Sequence, residues 1–127
     1  MVKHTGGCHC GRVRFEITAP EDIEASQCNC SICSKSGYLG LAVSRSRFEL
    51  LSGEDCLETY TFNTGVAKHL FCRHCGIKSF YLPRSHPDGV SVNANCLDAT
   101  TVSSTSITDF DGMNWEQNIH KMSQISD

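Results

Sequence analysis

The chain has 127 residues and a mass of 14.0 kDa, with 39% hydrophobic, 20% charged and 8% aromatic residues; this predicts one domain, residues 1–127, with a single core, and excludes two full domains. Eleven Lys and Arg stand against 14 Asp and Glu for a net charge of −3, and the basic residues are scattered, which argues against nucleic acid and other acidic polymers as partners. The longest apolar run, Leu39 to Val43, contains a glycine and falls far short of the about 20 residues of a membrane-spanning helix.

Taken in chain order, Met1 to Gly7 offers no apolar stretch for a signal peptide, so a reducing cytoplasm is the expected compartment. Val13, Phe15 and Ile17 then alternate with Arg12, Arg14 and Glu16, the period of two of a half-buried strand. Further short strands are predicted at Ile23 to Cys28, Leu39 to Val43, Phe48 to Leu50, Leu57 to Phe62, Val66 to Phe71, Ser79 to Leu82 and Val90 to Ala94. Turn-rich spacers such as Ser52-Gly53-Glu54-Asp55 and Asn63-Thr64-Gly65 separate them. Asp98 to Thr108, rich in Ser and Thr, reads as a loop. Trp115, Ile119 and Met122 fall at helical spacing and predict a short helix within Asp111 to Met122. The pattern is mainly β, of short antiparallel strands with little helix.

Cysteine sets this sequence apart. There are nine, and seven fall in three groups: Cys8-His9-Cys10, Cys28-Asn29-Cys30-Ser31-Ile32-Cys33 and Cys72-Arg73-His74-Cys75. An odd count in a reducing compartment favours metal over a disulfide framework. Two thiolates on a tight turn can both face one ion at about 2.3 Å, and two such pairs make a closed four-thiolate zinc site. The first and third groups supply these pairs, each followed directly by a glycine, Gly11 or Gly76, that lets the backbone curl around the metal. Cys8, Cys10, Cys72 and Cys75 are therefore assigned to one structural zinc. A site from Cys28, Cys30, Cys72 and Cys75 is formally possible, but it leaves Cys33 unused and Cys8 and Cys10 as a bare dithiol.

The middle group offers Cys28, Cys30 and Cys33 without an obvious fourth partner. Three protein ligands and an open position characterise a catalytic zinc. That position suits water or a substrate thiol, whose pKa falls on coordination. The chain thus reads as a carrier of two zinc ions, unless Cys56, Cys96 or a histidine closes the second site.

Gly7-Cys8-His9-Cys10-Gly11-Arg12-Val13-Arg14-Phe15, the Cys28 to Cys33 group, Phe71-Cys72-Arg73-His74-Cys75-Gly76 and Asn95-Cys96-Leu97-Asp98 resemble the glutathione-dependent formaldehyde-activating enzyme family, which also includes centromere protein V. The resemblance runs from about Thr5 to Glu116. It implies the β-tent, a twisted and mostly antiparallel fold. It also implies a structural zinc on Cys8, Cys10, Cys72 and Cys75 and a catalytic zinc on Cys28, Cys30 and Cys33. The implied activity is condensation of glutathione with formaldehyde to S-(hydroxymethyl)glutathione, formally a carbon-sulfur lyase reaction read backwards.

Other residues carry weaker signals. Cys56 and Cys96 have no partner at metal spacing and read as small buried side chains. His9 and His74 lie inside the knuckles and are expected to point outward, while His69 reads as a surface or packing residue. Arg84, in the Pro83 to Gly89 turn, and Lys35, just after Cys33, are candidates to meet a substrate carboxylate. Phe110, Asp111, Gly112, Asn114 and Trp115 resemble the family's C-terminal segment, with Trp115 a core anchor. A second reading is a zinc-stapled module that binds a protein partner and catalyses nothing; there every ligand substitution would unfold the chain alike.

Overall fold

The computed structural model describes residues 1–62, 65–84 and 88–111. Ten strands and one short helix follow one another: β1 (Val2–Gly7), β2 (Arg14–Ala19), β3 (Asp22–Cys28), α1 (Ser31–Ser36), β4 (Leu39–Ser44), β5 (Phe48–Ser52), β6 (Leu57–Tyr60), β7 (Lys68–Cys72), β8 (Phe80–Leu82), β9 (Gly89–Asn93) and β10 (Ser104–Phe110). They form a three-stranded sheet in the order β1-β2-β5 and a seven-stranded sheet in the order β10-β3-β4-β9-β8-β7-β6. The mainly β expectation holds. No helix among the described residues is long and apolar enough to cross a membrane.

Alternation in β2 does what its sequence predicts. Phe15, Ile17 and Ala19 are buried and the residues between them are half-buried. One apolar cluster takes Phe15 and Ile17 from the smaller sheet and Leu41, Val43, Phe80, Val90 and Val92 from the larger. Phe48 packs against both Phe15 and Phe80, with ring centroids 5.8 Å and 4.9 Å away. Burying each such ring is worth roughly 1.5–3 kcal/mol, so these three aromatics are a main tie between the sheets.

Two strands lie where the sequence showed none, and both have the same cause. The buried positions of β1 are His4, Gly6 and Gly7, so no apolar alternation marks it. His4 is fully buried, its ring nitrogens paired with Thr101 Oγ1 at 2.7 Å and the Pro20 carbonyl at 2.9 Å. In β10 every residue before Phe110 is exposed. Its Ser/Thr composition, read as a loop, is that of an edge strand with no face to hide. The strands pair mostly antiparallel, as expected; the exception is β10, which pairs in parallel with β3 from Ser104 opposite Asp22 to Phe110 opposite Cys28. The helix expected within Asp111 to Met122, including Gly112, Asn114 and Trp115, lies beyond Asp111 outside the described residues, as do Asn63, Thr64 and the Ser85-His86-Pro87 segment.

Candidate metal centres

The first pair of cysteines sits on the turn between β1 and β2. The Cys8 amide donates to the Val13 carbonyl at 3.0 Å and the Gly11 amide to the Cys8 carbonyl at 3.2 Å. The second pair follows β7 in the same manner: the Cys72 amide donates to the Ile77 carbonyl and the Gly76 amide to the Cys72 carbonyl at 2.7 Å. Gly11 and Gly76 have φ of 83° and 76°, a backbone conformation that side chains with a Cβ disfavour. The glycine after each pair is therefore what turns the chain around the sulfurs.

Both turns meet. The sulfurs of Cys8, Cys10, Cys72 and Cys75 lie within 4.8 Å of one another, with Cys8 Sγ 3.5 Å from Cys10 Sγ and Cys10 Sγ 3.7 Å from Cys72 Sγ. A tetrahedron with 2.3 Å zinc–sulfur bonds has edges of about 3.8 Å, so the donor set fits that ion. Arg12 draws the Cys10 thiol down to about 6 through its backbone amide and its guanidinium, whereas burial pushes Cys8 up to about 11.

The second group is local. Cys28 ends β3, Cys30 caps α1 and Cys33 lies buried within it, and their three sulfurs also lie within 4.8 Å of one another. Hydrogen bonds from Cys28 and Cys33 hold Cys30 far below the ordinary thiol range, while bonding to Cys28 and Cys30 keeps Cys33 protonated. The three thiols therefore titrate as one linked unit, and a cation bound there would compete with their protons. Helix α1 lets Cys33 face the other two sulfurs.

Among the described residues no fourth His, Cys, Asp or Glu joins this trio. Cys56 is buried in the apolar cluster, and Cys96 is half-buried with its thiol pushed up to about 11 by burial. His9 and His74 are exposed and belong to neither group.

An open cleft of about 770 Å³ runs along the trio. Cys28 and Cys33 line it together with Gln27, Asn29, Tyr38 and Asn95, and with Ile107, Asp109 and Phe110 of β10. β10 is pinned to the site at this end, since the Asn29 amide donates to the Phe110 carbonyl and Asn29 Nδ2 to Asp111 Oδ1 at 3.0 Å. Lys35 is exposed on α1. The turn that carries Arg84 leaves Leu82 and enters β9 at Gly89, which pairs with Ser44, whereas the trio lies at the Gly40–Asn93 end of the same strand pair. Those ends are about 13 Å apart along the strands, so that turn does not start or finish beside the trio.

Sequence reading overlooked a buried cation that packs against Tyr38. Lys78 is buried, its ammonium 3.2 Å from His69 Nδ1 and 4.4 Å and 4.9 Å from the centroids of the Tyr38 and Tyr81 rings. His69, expected on the surface or in packing, is buried and stacked between Phe62 and Tyr81. Burial, then the neighbouring Lys78, lowers its pKa to about 4, so it is a neutral acceptor for the ammonium. The signal in the sequence was a lysine inside the Ile77-Lys78-Ser79-Phe80 run leading into a buried strand, where a surface charge has no place.

A small mixed-sheet protein carrying one closed four-sulfur group and one open three-sulfur group beside a cleft is the class that fold and site define. The family model for the glutathione-dependent formaldehyde-activating enzyme matches residues 3–111. The chain belongs to that family. It is similar to a Halomonas elongata protein named provisionally as a glutathione-dependent formaldehyde-activating enzyme, with 28% identity over 102 residues, 74% of this chain and 65% of that protein's length. A crystal structure of a Rhodobacter sphaeroides protein matches at a TM-score of 0.69 and 31% identity, covering 82% of this chain and 99% of that one.

Proposed function

We propose that this chain is a zinc-dependent enzyme that joins a thiol to a small aldehyde, with glutathione and formaldehyde as the pair and S-(hydroxymethyl)glutathione as the product. Cys8, Cys10, Cys72 and Cys75 would hold a structural zinc, and Cys28, Cys30 and Cys33 a catalytic one. The observation that carries this reading is the open trio: three sulfurs within 4.8 Å beside a cleft, without a fourth protein ligand among the described residues. The family match and the name of the Halomonas relative supply the substrates.

A zinc ion held by Cys28, Cys30 and Cys33 would supply Lewis acidity, lowering the pKa of a thiol brought to the open position. The remaining work falls to the protein. Gln27, Asn29 and Asn95 present amides to the peptide groups of the thiol, and Asp109 and Asp111 favour its ammonium end. Lys35, exposed near the trio, is placed to meet a carboxylate. In the reaction the thiol proton goes to water and the sulfur lone pair forms the new C–S bond. The carbonyl π pair moves to oxygen, which takes a proton to give the hydroxymethyl group. Nothing is oxidised or reduced, and a thiolate adding to an unhindered aldehyde requires no further base.

Titrating glutathione into the metal-loaded chain by calorimetry tests this. The expected result is binding to the native chain that is lost in Cys30→Ser. Native protein that binds no glutathione, or Cys30→Ser that binds it equally, overturns the proposal.

A further inference from the structure

An ammonium removed from water is costly unless it finds an opposite charge, and Lys78 has no carboxylate within ion-pair distance among the described residues, whose ion pairs are Lys3–Glu16 and Arg14–Asp98. Its three protons are accounted for by neutral partners: His69 Nδ1 and the faces of Tyr38 and Tyr81. This cage fixes where the charge sits without cancelling it. Burial lowers the Lys78 pKa, and the three-cysteine group of Cys33, Cys30 and Cys28 acts in the opposite direction, favouring the ammonium. Tyr38 links the two, with one side of its ring under the ammonium and its amide bonded to the Cys33 carbonyl at 3.1 Å.

The backbone around Lys78 is held by the same parts. Asn93 Nδ2 donates to the Lys78 carbonyl at 3.2 Å, while Asn93 Oδ1 accepts from the amides of Leu39 and Asn95. One buried side chain therefore ties the lysine segment to the strand that follows α1 and to the cleft wall at Asn95. On its other side the segment emerges from the Cys72–Cys75 turn.

We propose that Lys78 is the counter-charge of the three-cysteine centre: its caged ammonium offsets the negative charge of a divalent ion held by three thiolates, and so favours a fourth ligand that is itself an anion. This rests on reading the trio as a zinc site. A divalent ion with three thiolates carries a net charge of −1, and a substrate thiolate takes it to −2. Without a buried cation the second anion would enter against repulsion in a medium of low dielectric. Lys78 is thus a positioning residue for charge, and it sets a preference for thiolate over neutral donors at the open position.

The test compares native protein with Lys78→Met, Lys78→Gln and Lys78→Arg, each loaded with zinc. Zinc affinity at each site is read by chelator competition, and fourth-ligand affinity is read with glutathione as the anionic probe and imidazole as the neutral one. Loss of the charge in Met or Gln is expected to weaken zinc at the trio and glutathione binding by about tenfold or more. Imidazole affinity and the four-cysteine zinc should stay within about threefold, and Lys78→Arg, which keeps the charge in a larger and flatter group, should lose less glutathione affinity than either neutral variant. A purely structural role would lower glutathione and imidazole together, and that outcome overturns the proposal, as does unchanged glutathione affinity in whichever neutral variant folds. If the native chain holds only one zinc, the underlying reading fails and takes this inference with it. A native chain with two zinc ions and charge-insensitive variants sinks the inference alone.

Discussion

The two cysteine groups use one kind of ligand and differ in how the chain delivers it. Four sulfurs converge from turns 62 residues apart in sequence, and each turn is stopped by a glycine with positive φ. The other three come from one stretch of six residues, across the end of β3 and the start of α1. A metal on the first group ties β1 and β2 to β7, so it bears on the whole fold. A metal on the second ties only neighbours that β3 and α1 already hold. What the local group gains is an exposed flank: the trio opens on a cleft whose other side is β10.

The sharpest way to break this contrast is to substitute one ligand from each group. Cys72→Ser should lose its zinc and its cooperative thermal transition, because a structural zinc contributes about 10–16 kcal/mol to a domain whose net stability is about 5–15 kcal/mol. Cys30→Ser should lose one zinc by metal analysis while its circular dichroism and melting temperature stay close to native. Two variants that unfold alike would make both groups structural and revive the reading of a non-catalytic binding module.

A second comparison concerns the cage around Lys78. His69 is held neutral, with its pKa lowered to about 4 from about 6.5. The unfolded chain therefore takes up this proton first. Stability is full above about pH 6.5, falls by up to about 3 kcal/mol as the pH drops to about 4, and is unaffected by this group below that. His69→Gln should remove that slope, seen as a narrowing gap between native and variant in denaturant titrations from pH 7 to 4. A constant gap would mean that His69 does not carry the acid sensitivity.

The smallest effect is expected at the Arg14–Asp98 pair. Asp98 accepts from Arg14 and Thr5, which hold its carboxyl below the ordinary range. Since the pair is part-exposed, Asp98→Asn should cost less than about 1 kcal/mol. The difference should vanish as acid protonates the native carboxyl, because a lowered pKa stabilises only above the unfolded value. A loss as large as that of a core residue would contradict the assignment.

What the sequence disclosed and what it hid follow one rule. Strands with an apolar face, such as β2 with Phe15 and Ile17, were visible from period-two alternation, and the two sulfur groups assembled from the members that their spacing paired. Strands β1 and β10 were invisible because their inward positions are histidine and glycine in one case and nearly absent in the other. Helix α1 is only six residues long and too short to show a periodic stripe. Only the lysine of the Lys78 cage left a signal in the sequence; its partners Tyr38, His69 and Tyr81 come together only when β7, β8, β9 and β4 are laid side by side.

The parallel pairing of β10 with β3 bears on the order in which the molecule is built. Its partners are 82 residues apart, the kind of contact that must close a long loop before it returns any stabilisation. A nascent chain can assemble both sulfur groups once Cys75 has emerged from the ribosome. It still lacks the wall made by Ile107, Asp109 and Phe110, so both sulfur groups can form before the cleft beside the trio is complete.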